Sequence, residues 1–177
     1  MLLDAWMRDR WNEDHDAAGT RAAGGTVDNA LLASMLRDPY FALPPPKSTG
    51  RDTFDLAWLR SHVTTSASPQ DVLATLAELT ARSVADALGR HCAPARELFV
   101  CGGGVHNLDL MRRLRSNLEG RRVESTDSIG IAPDWVEAIA FAWLARCALL
   151  GETANLPEVT GAAGPRILGA IYPGRHR

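Results

Sequence analysis

The stretch that most constrains this chain is a short apolar run followed by three consecutive glycines and a helical pattern. Residues 98–101 are apolar and predict a buried strand, and the glycines occupy positions 102–104. Asn107 precedes apolar residues at helical spacing, where its side chain can cap a helix. The order strand, glycine turn, helix predicts part of an α/β fold.

The glycine turn (Gly102, Gly103 and Gly104) has two interpretations. Its residues allow positive φ and the close approach of a flat or anionic ligand, because none of them carries a Cβ atom. The start of the following helix offers unpaired N–H groups and the positive end of the helix dipole, both of which favour an anion. A tight strand-to-helix turn without a ligand fits the same spacing, so both interpretations stay open.

Composition limits the classes of protein to which the chain can belong. Its 177 residues suit one domain of ordinary size or one lobe of a larger enzyme. A net charge of −2 and a pI near 6.2 argue against a general nucleic-acid or membrane-surface binder. The scattered Cys92, Cys101 and Cys147 predict buried thiols in a reducing compartment. Since neither a bilayer-spanning run nor a signal-peptide pattern is found, the sequence predicts a soluble cytoplasmic protein.

Two helical patterns in the first half of the chain differ in their capping residues. Residues 1–11 have helical apolar spacing but no cap, which predicts that a further segment precedes them. Ser68 begins the clearest helix, with proline next and Asp71 three residues later, as in a capping box. The apolar stripe that follows, as far as Leu88, predicts packing against the sheet.

A proline-rich segment over residues 39–51 separates these two helices. Three consecutive prolines hold an extended, stiff backbone, and Lys47, Ser48, Thr49 and Gly50 follow. This group offers a cation and two hydroxyls to a phosphate or a sugar. A well-formed turn with an exposed lysine is the alternative, and the pattern of a P-loop is absent.

The residues after the glycine turn predict a second strand and a buried helix. The strand, over residues 122–127, ends at Asp127, and the carboxyl end of a strand is where ligands bind in open α/β sheets. The helix over residues 134–150 is apolar around nearly its whole circumference and is expected to be deeply buried. Glu137 either forms a reciprocal capping pair with Asp134 or points from the helix start into a cleft.

Five stretches together resemble one family, the anhydro-N-acetylmuramic acid kinases, bacterial enzymes that recycle peptidoglycan. The stretches are DPYF with PPPKSTGR, FVCGGGVHN, STDSIGIAPDWVEAIAFAWLA, NLPEVTGA and LGAIYP. They are distributed over essentially the whole chain, and their combination is far more specific than a glycine motif alone. The resemblance implies membership of the superfamily of sugar kinases, heat-shock chaperones and actin.

The family's fold, as the resemblance implies it, has two ribonuclease-H-like (actin-like ATPase) lobes that close over nucleotide and sugar. Residues 1–177 resemble an incomplete C-terminal lobe, an α/β domain with helices packed on a small sheet. The N-terminal phosphate-binding motif is not found, and the second phosphate loop and the catalytic base are expected before Met1. Asp4, inside the first helix, is a poor substitute, so no catalytic residue and no metal ligand is assigned.

The resemblance also implies which residues bind ATP and the sugar. It places the glycine turn and Asn107 beside the adenine and ribose of ATP. Glu137 is expected to point into the sugar cleft. Two further candidates for the rim of that cleft are Asp127 and Lys47.

The implied reaction is phosphorylation of the sugar O6 by ATP while water opens the 1,6-anhydro ring. Its products are N-acetylmuramic acid 6-phosphate and ADP, with Mg²⁺ bridging the phosphates. Because the lobe lacks a phosphate cradle, a metal-organising acid and a base, the chain alone is expected to be inactive. A non-catalytic nucleotide- or partner-binding module is the alternative. The expected partners are the amino sugar, the nucleotide and either a missing N-terminal lobe or a second copy, with no nucleic acid and no membrane.

Overall fold

A computed structural model of the chain describes residues 2–50 and 52–174. Within them, helices pack on a sheet of two parallel strands, which confirms a mixed α/β architecture. Three of the predicted segments extend past this part of the chain. Met1 of the first helical pattern, Arg51 of the proline-rich segment and residues 175–177 of the tail lie outside the described residues.

The regular elements follow one another in a simple order. The helices are α1 (Leu2–Trp11), α2 (Thr20–Ala23), α3 (Asn29–Leu36), α4 (Pro39–Ala42), α5 (Leu56–His62), α6 (Pro69–His91), α7 (Leu108–Asn117), α8 (Val136–Leu150) and α9 (Pro157–Thr160). The strands are β1 (Glu97–Val100) and β2 (Arg122–Ser125). Short 3₁₀ turns occupy Ala17–Gly19, Gly103–His106, Thr126–Ile129 and Pro133–Trp135.

The long helix α6 organises the first core. Its amino-terminal half is buried against α1, α2, α3 and α5 in one apolar cluster. Trp6 of α1 lies in this cluster, and its indole N–H donates to the backbone oxygen of Pro69 at 2.9 Å. The bond satisfies the one polar group of a buried tryptophan and fixes α1 against the start of α6.

A β1–α7–β2 unit forms the second core. The strands are parallel, with Leu98 opposite Val123, and the connection between them contains α7, as a parallel pair requires. Val123 is buried with Met111 and Leu114 of α7, and the carboxyl-terminal half of α6 packs on the same cluster. This half of α6 therefore shares an apolar cluster with the strands, as predicted, but its main contacts are with α7.

Two details at the element ends differ from the prediction. Ser68 is the N-cap of α6, but its side chain makes no capping hydrogen bond. Asp71 does not reach back to it, because its carboxylate accepts the N–H of Thr26 at 2.7 Å. The second strand ends at Ser125, and Asp127 lies in the 3₁₀ turn that follows, where its N–H donates to Oγ of Ser125.

The prediction that α8 is deeply buried is wrong within this chain. Cys147 is its one buried residue, and Phe141 is 69% exposed. The helix is apolar around nearly its whole circumference, as the sequence indicates. Burial also requires a surface that covers the helix, and the described residues supply little of that surface. The residue before the helix is Trp135, and no side chain caps it, so a capping role for Asp134 and Glu137 is not found.

The cysteines are only partly as predicted. All three thiols are free, and Cys147 is buried as expected. Cys92 and Cys101 are exposed, because they follow α6 and β1 at points where the chain leaves the core. None of the helices in residues 2–50 and 52–174 is long and apolar enough to span a membrane.

Candidate functional site

A cleft of about 850 Å³ lies where the glycine turn faces the start of α1. Its volume is in the range of pockets that bind small molecules. The walls come from α1, the loop before α2, α6 and the segment that joins β1 to α7. The lining residues are Leu2, Leu3, Asp4, Arg8, Asp14, His15, Asp16, Ala18, Thr80, Gly103, Gly104, His106, Asn107 and Leu110.

The glycine turn leaves open space beside its backbone. Gly102 has a φ of +70°, a conformation that L residues with a side chain rarely adopt. A Cβ atom added at Gly102 or Gly103 would meet no atom within 4 Å, and one at Gly104 would meet Leu110 at 3.7 Å. The positive φ accounts for a glycine at position 102. Neither a positive φ nor packing accounts for the glycine at position 103, and the space beside its backbone is open.

Asn107 confirms the predicted helix cap. Its Oδ1 accepts the N–H of Leu110 at 2.8 Å at the start of α7. The amide also packs against Gly19, whose own Cβ position it would block. Asn107 therefore ties the glycine turn, α7 and the loop before α2 into one wall of the cleft.

A buried ion network beneath the cleft holds α7 in place. The side chain of Asp109 is 1% exposed and that of Arg113 is 7% exposed, and they pair at 2.6 Å. Arg113 also reaches Glu78 of α6 at 3.0 Å, and Arg112 pairs with the other oxygen of Asp109. Because buried charges need partners, this network couples the orientation of α7 to α6.

A pair of contacts joins the glycine turn to the segment that leads into α8. The N–H of Gly102 donates to the backbone oxygen of Pro133 at 2.9 Å. Nε2 of His106 lies 3.2 Å and 3.3 Å from the two carboxylate oxygens of Asp134. Sequence reasoning did not single out His106 as a site residue. Its place in the turn beside Asn107 was the one available signal.

The charged residues of the cleft are mostly acidic, and several of them already have partners within the protein. Arg8 pairs with Asp14 at 3.2 Å, and the carboxylate of Asp16 accepts the backbone N–H groups of Arg21 and Ala22 at 2.9 Å. No group of three or more His, Cys, Asp or Glu side chains in the described residues is arranged to hold a metal ion.

The sugar-side candidates do not line this cleft. Glu137 is exposed in the first turn of α8, directly after the segment that His106 and Gly102 contact. Asp127 is exposed in the 3₁₀ turn after β2. The structure therefore brings together Gly103, Gly104 and Asn107, and it leaves both carboxylates on the surface.

Lys47 lines a separate cavity of about 200 Å³ between α4 and α6. Its Nζ donates to the backbone oxygen of Tyr40 at 3.0 Å and lies 4.6 Å from the centroid of that ring. Arg90 donates to the backbone oxygen of Phe41 at 3.0 Å, so two cations satisfy carbonyl groups at the end of α4. In this chain the amine of Lys47 is used to hold the proline-rich segment.

The fold and the cleft define a mixed α/β protein with an open glycine turn at the carboxyl end of a parallel strand. The chain belongs to the anhydro-N-acetylmuramic acid kinase family, because the profile described by that name matches residues 1–174. This confirms the resemblance stated from the sequence motifs.

Curated relatives named anhydro-N-acetylmuramic acid kinase agree with this assignment. One from Xanthomonas campestris pv. campestris (strain 8004) is 57% identical over 173 residues, which are 97% of this chain and 46% of the relative. One from Pseudomonas syringae pv. syringae (strain B728a) is 51% identical over 175 residues, 98% of this chain and 48% of the relative. A relative from Nitrosomonas europaea is 50% identical over 98% of this chain and 48% of its own length. The chain spans about half the length of the curated relatives it matches.

Proposed function

We propose that this chain supplies the adenosine side of an ATP-dependent kinase that acts on 1,6-anhydro-N-acetylmuramic acid. In the proposed reaction the O6 of the sugar receives the phosphoryl group while water opens the anhydro ring. The products are N-acetylmuramic acid 6-phosphate and ADP, and the role is peptidoglycan recycling in the cytoplasm. The proposed fold is an incomplete ribonuclease-H-like lobe over residues 1–177.

The observation that carries the proposal is the open glycine turn in a chain of this kinase family. Gly102 and Gly103 leave room for a flat ligand against the backbone, and the turn borders a cleft large enough for a nucleoside. The adenine and ribose are proposed to lie along Gly102, Gly103 and Gly104. Asn107 keeps this surface in place through its cap on α7.

The sugar is proposed to lie beyond the turn, toward the start of α8. Glu137 is the leading candidate for a contact with the sugar hydroxyls, because the contacts of Gly102 and His106 bring the start of its helix next to the turn. Asp127 and Lys47 are the secondary candidates for the rim. The amine of Lys47 would have to leave the carbonyl of Tyr40 to reach a ligand.

ATP supplies the phosphoryl group when bound, and Mg²⁺ bound to its phosphates offsets their charge. The described residues contain no metal site of their own, so the ion is proposed to arrive with the nucleotide. Phosphoryl transfer depends on positioning and on neutralisation of charge. The phosphate cradle and the base are proposed to belong to the half of the family's length that this chain does not span.

Calorimetric titration of the purified chain with ATP–Mg²⁺ tests the nucleotide site. We expect saturable binding that the Gly103→Val variant weakens at least about tenfold, because the added side chain occupies the space left for the ligand. Gly89→Val is the matched control, since Gly89 is equally open but lies outside the cleft. No binding by the unmodified chain, or equal binding by Gly103→Val, would contradict the proposed site.

A turnover assay tests the proposal that the chain alone is inactive. The purified chain is incubated with the anhydro sugar and ATP–Mg²⁺, and formation of ADP and the sugar phosphate is followed. We expect no product above the background without protein. Turnover that increases in proportion to the concentration of the chain would contradict the assignment of base and phosphate cradle to the other half.

A further inference from the structure

The cavity that Lys47 lines is not used by the proposed nucleotide site. It lies between α4 and the carboxyl-terminal half of α6, and its volume is about 200 Å³. Pockets for drug-sized ligands measure about 300–1,000 Å³, so this cavity suits a smaller molecule. Of the residues that the structure describes, none lines both this cavity and the cleft beside the glycine turn.

One part of the cavity wall is apolar. It is formed by Leu36, Tyr40, Phe41, Val84 and Ala87. The rings of Tyr40 and Phe41 meet edge to face, with their centroids 5.8 Å apart, which is a favourable arrangement for two aromatic side chains. All five residues are half-buried, so each keeps apolar surface that a ligand can cover. The wall therefore suits an apolar side chain.

The charged side chains of α6 in this cavity do not pair with each other. Asp86 and Arg90 are one turn apart, a spacing at which opposite charges on a helix commonly pair. Arg90 instead donates through Nε to the backbone oxygen of Asp86 at 3.2 Å and through Nη1 to that of Phe41 at 3.0 Å. In the part of the chain that the structure describes, the carboxylate of Asp86 accepts no hydrogen bond and Nη2 of Arg90 donates none.

Lys47 brings a second cation to the cavity, and it too has no acidic partner among the described residues. Its Nζ donates to the backbone oxygen of Tyr40 at 3.0 Å and lies 4.6 Å from the centroid of that ring. An ammonium group has three donors, so Lys47 can hold this carbonyl and still donate to a ligand. The cavity therefore offers two cations and one carboxylate, each without a partner of opposite charge.

We propose that this cavity binds a free α-amino acid with an apolar side chain. The carboxylate of the ligand pairs with Arg90 and Lys47, its ammonium group pairs with Asp86, and its side chain covers the apolar wall. A neutral apolar molecule leaves all three charges unpaired, and a simple anion leaves Asp86 without a cation. A zwitterion satisfies both signs at once. The proposal does not depend on the nucleotide site.

Titration of the purified chain with L-leucine, followed by the NMR shifts of the backbone amides, tests this proposal. N-acetyl-L-leucine lacks the ammonium group, L-leucinamide lacks the carboxylate, and glycine lacks the side chain. We expect saturable shifts with leucine around the cavity and at least about tenfold weaker binding of each of the other three, since each loses one set of contacts. Equal binding of any of them contradicts the contact that it lacks, and no saturable shift with leucine overturns the site.

Substitutions on α6 locate the bound amino acid. Asp86→Asn is expected to weaken leucine binding at least about tenfold without loss of stability, because its carboxylate has no partner among the described residues. Arg82→Gln is the matched control, since Arg82 is exposed on the same helix and donates to Asn117 outside the cavity. Arg90→Gln should also weaken binding, but it removes the bond to Phe41 as well, so Asp86→Asn decides.

The positions of the shifted amides separate this site from the nucleotide site. We expect leucine to shift amides of α4 and of residues 83–91, and Asp86→Asn to leave the titration with ATP–Mg²⁺ unchanged within about twofold. Leucine binding by Asp86→Asn equal to that of the control overturns the assigned cavity. Leucine shifts confined to residues 102–107 overturn it too, because they place the amino acid in the cleft beside the glycine turn.

Discussion

The side chain of Asn107 lies so close to Gly19 that a Cβ atom on Gly19 would overlap the Oδ1 of Asn107. The same oxygen caps α7 through the N–H of Leu110, and the φ of Gly19 is +73°. The lack of a side chain at Gly19, which is far from the glycine turn in sequence, therefore leaves the space that Asn107 needs in the wall of the cleft.

Replacing Gly19 by alanine should therefore destabilise the fold strongly. The left-handed backbone costs about 1–2 kcal/mol for an L residue, and displacement of the Asn107 cap adds about 1 kcal/mol. We expect a loss of roughly 2–3 kcal/mol in the free energy of unfolding, measured by urea denaturation. Gly89→Ala is the control, because Gly89 lies inside α6 with nothing within 4 Å, and alanine there should add about 0.5–1 kcal/mol. A loss of only about 1 kcal/mol at Gly19 would mean that Asn107 moves aside without cost, and equal effects at both positions would contradict the backbone strain as well.

The buried pair of Arg113 and Asp109 leads to a second prediction. Arg113→Met leaves Asp109, whose side chain is 1% exposed, with Arg112 as its remaining cation. It also removes the cation that pairs with Glu78, which keeps only the hydrogen bond from Nδ2 of Asn117 among its described contacts. Breaking one side of a buried ion pair costs about 3–5 kcal/mol, and we expect about 3 kcal/mol here because Arg112 stays.

Arg122→Met is the matched control for this change. Arg122 pairs with Glu97 at 3.0 Å, but both side chains are about half exposed. Such a surface pair contributes less than about 1 kcal/mol. Chemical denaturation of both variants decides the question, and a loss of similar size in the two would mean that the Arg113 network is as solvated as the surface pair.

The β1–α7 unit was predictable because local signals set its boundaries. The apolar run, the glycines and Asn107 placed the strand and the helix close to their observed ends. The same signals grouped Gly103, Gly104 and Asn107, which the structure places in one cleft. Each of these signals is a property of the backbone or of a neighbouring residue, so it can be read from the sequence.

The opposite wall of the cleft was not predictable in the same way. Leu2 and Leu3 of α1 line the same cleft as Gly103, which is about a hundred residues away in the sequence, and no local pattern specifies that arrangement. The burial of α8 was overestimated for a related reason, since an apolar helix does not tell whether its covering surface is in the same polypeptide. Long-range packing decided both outcomes.

Helix caps give a third prediction, because the sequence pattern and the observed hydrogen bonds favour different capping residues. The carboxylate of Asp28 accepts the N–H groups of Ala30 and Leu31 at the start of α3, at 2.8 Å and 3.0 Å. Asp28→Ala should therefore cost about 1 kcal/mol. Ser68→Ala is expected to cost less than about 0.5 kcal/mol, although its sequence pattern is the clearer cap, because the Ser68 side chain makes no capping bond. Unfolding midpoints of the two variants measure the difference, and the reverse order would support the capping box.

The final prediction concerns Lys47, which is the single lysine in the sequence, so amine labelling reports on one side chain besides the amino terminus. Its Nζ donates to the carbonyl of Tyr40 at 3.0 Å, an interaction of about 1 kcal/mol that must break before the amine reacts. Acylation of Lys47 should therefore be about fivefold slower than that of a lysine introduced by Arg96→Lys, at an exposed position. The rates are measured by mass spectrometry of the labelled peptides. Equal rates would mean that the amine of Lys47 spends most of its time in solvent, which would favour its proposed place at the rim of the sugar cleft. A slower rate for Lys47 would identify its hydrogen bond within the proline-rich segment as its main role in this chain.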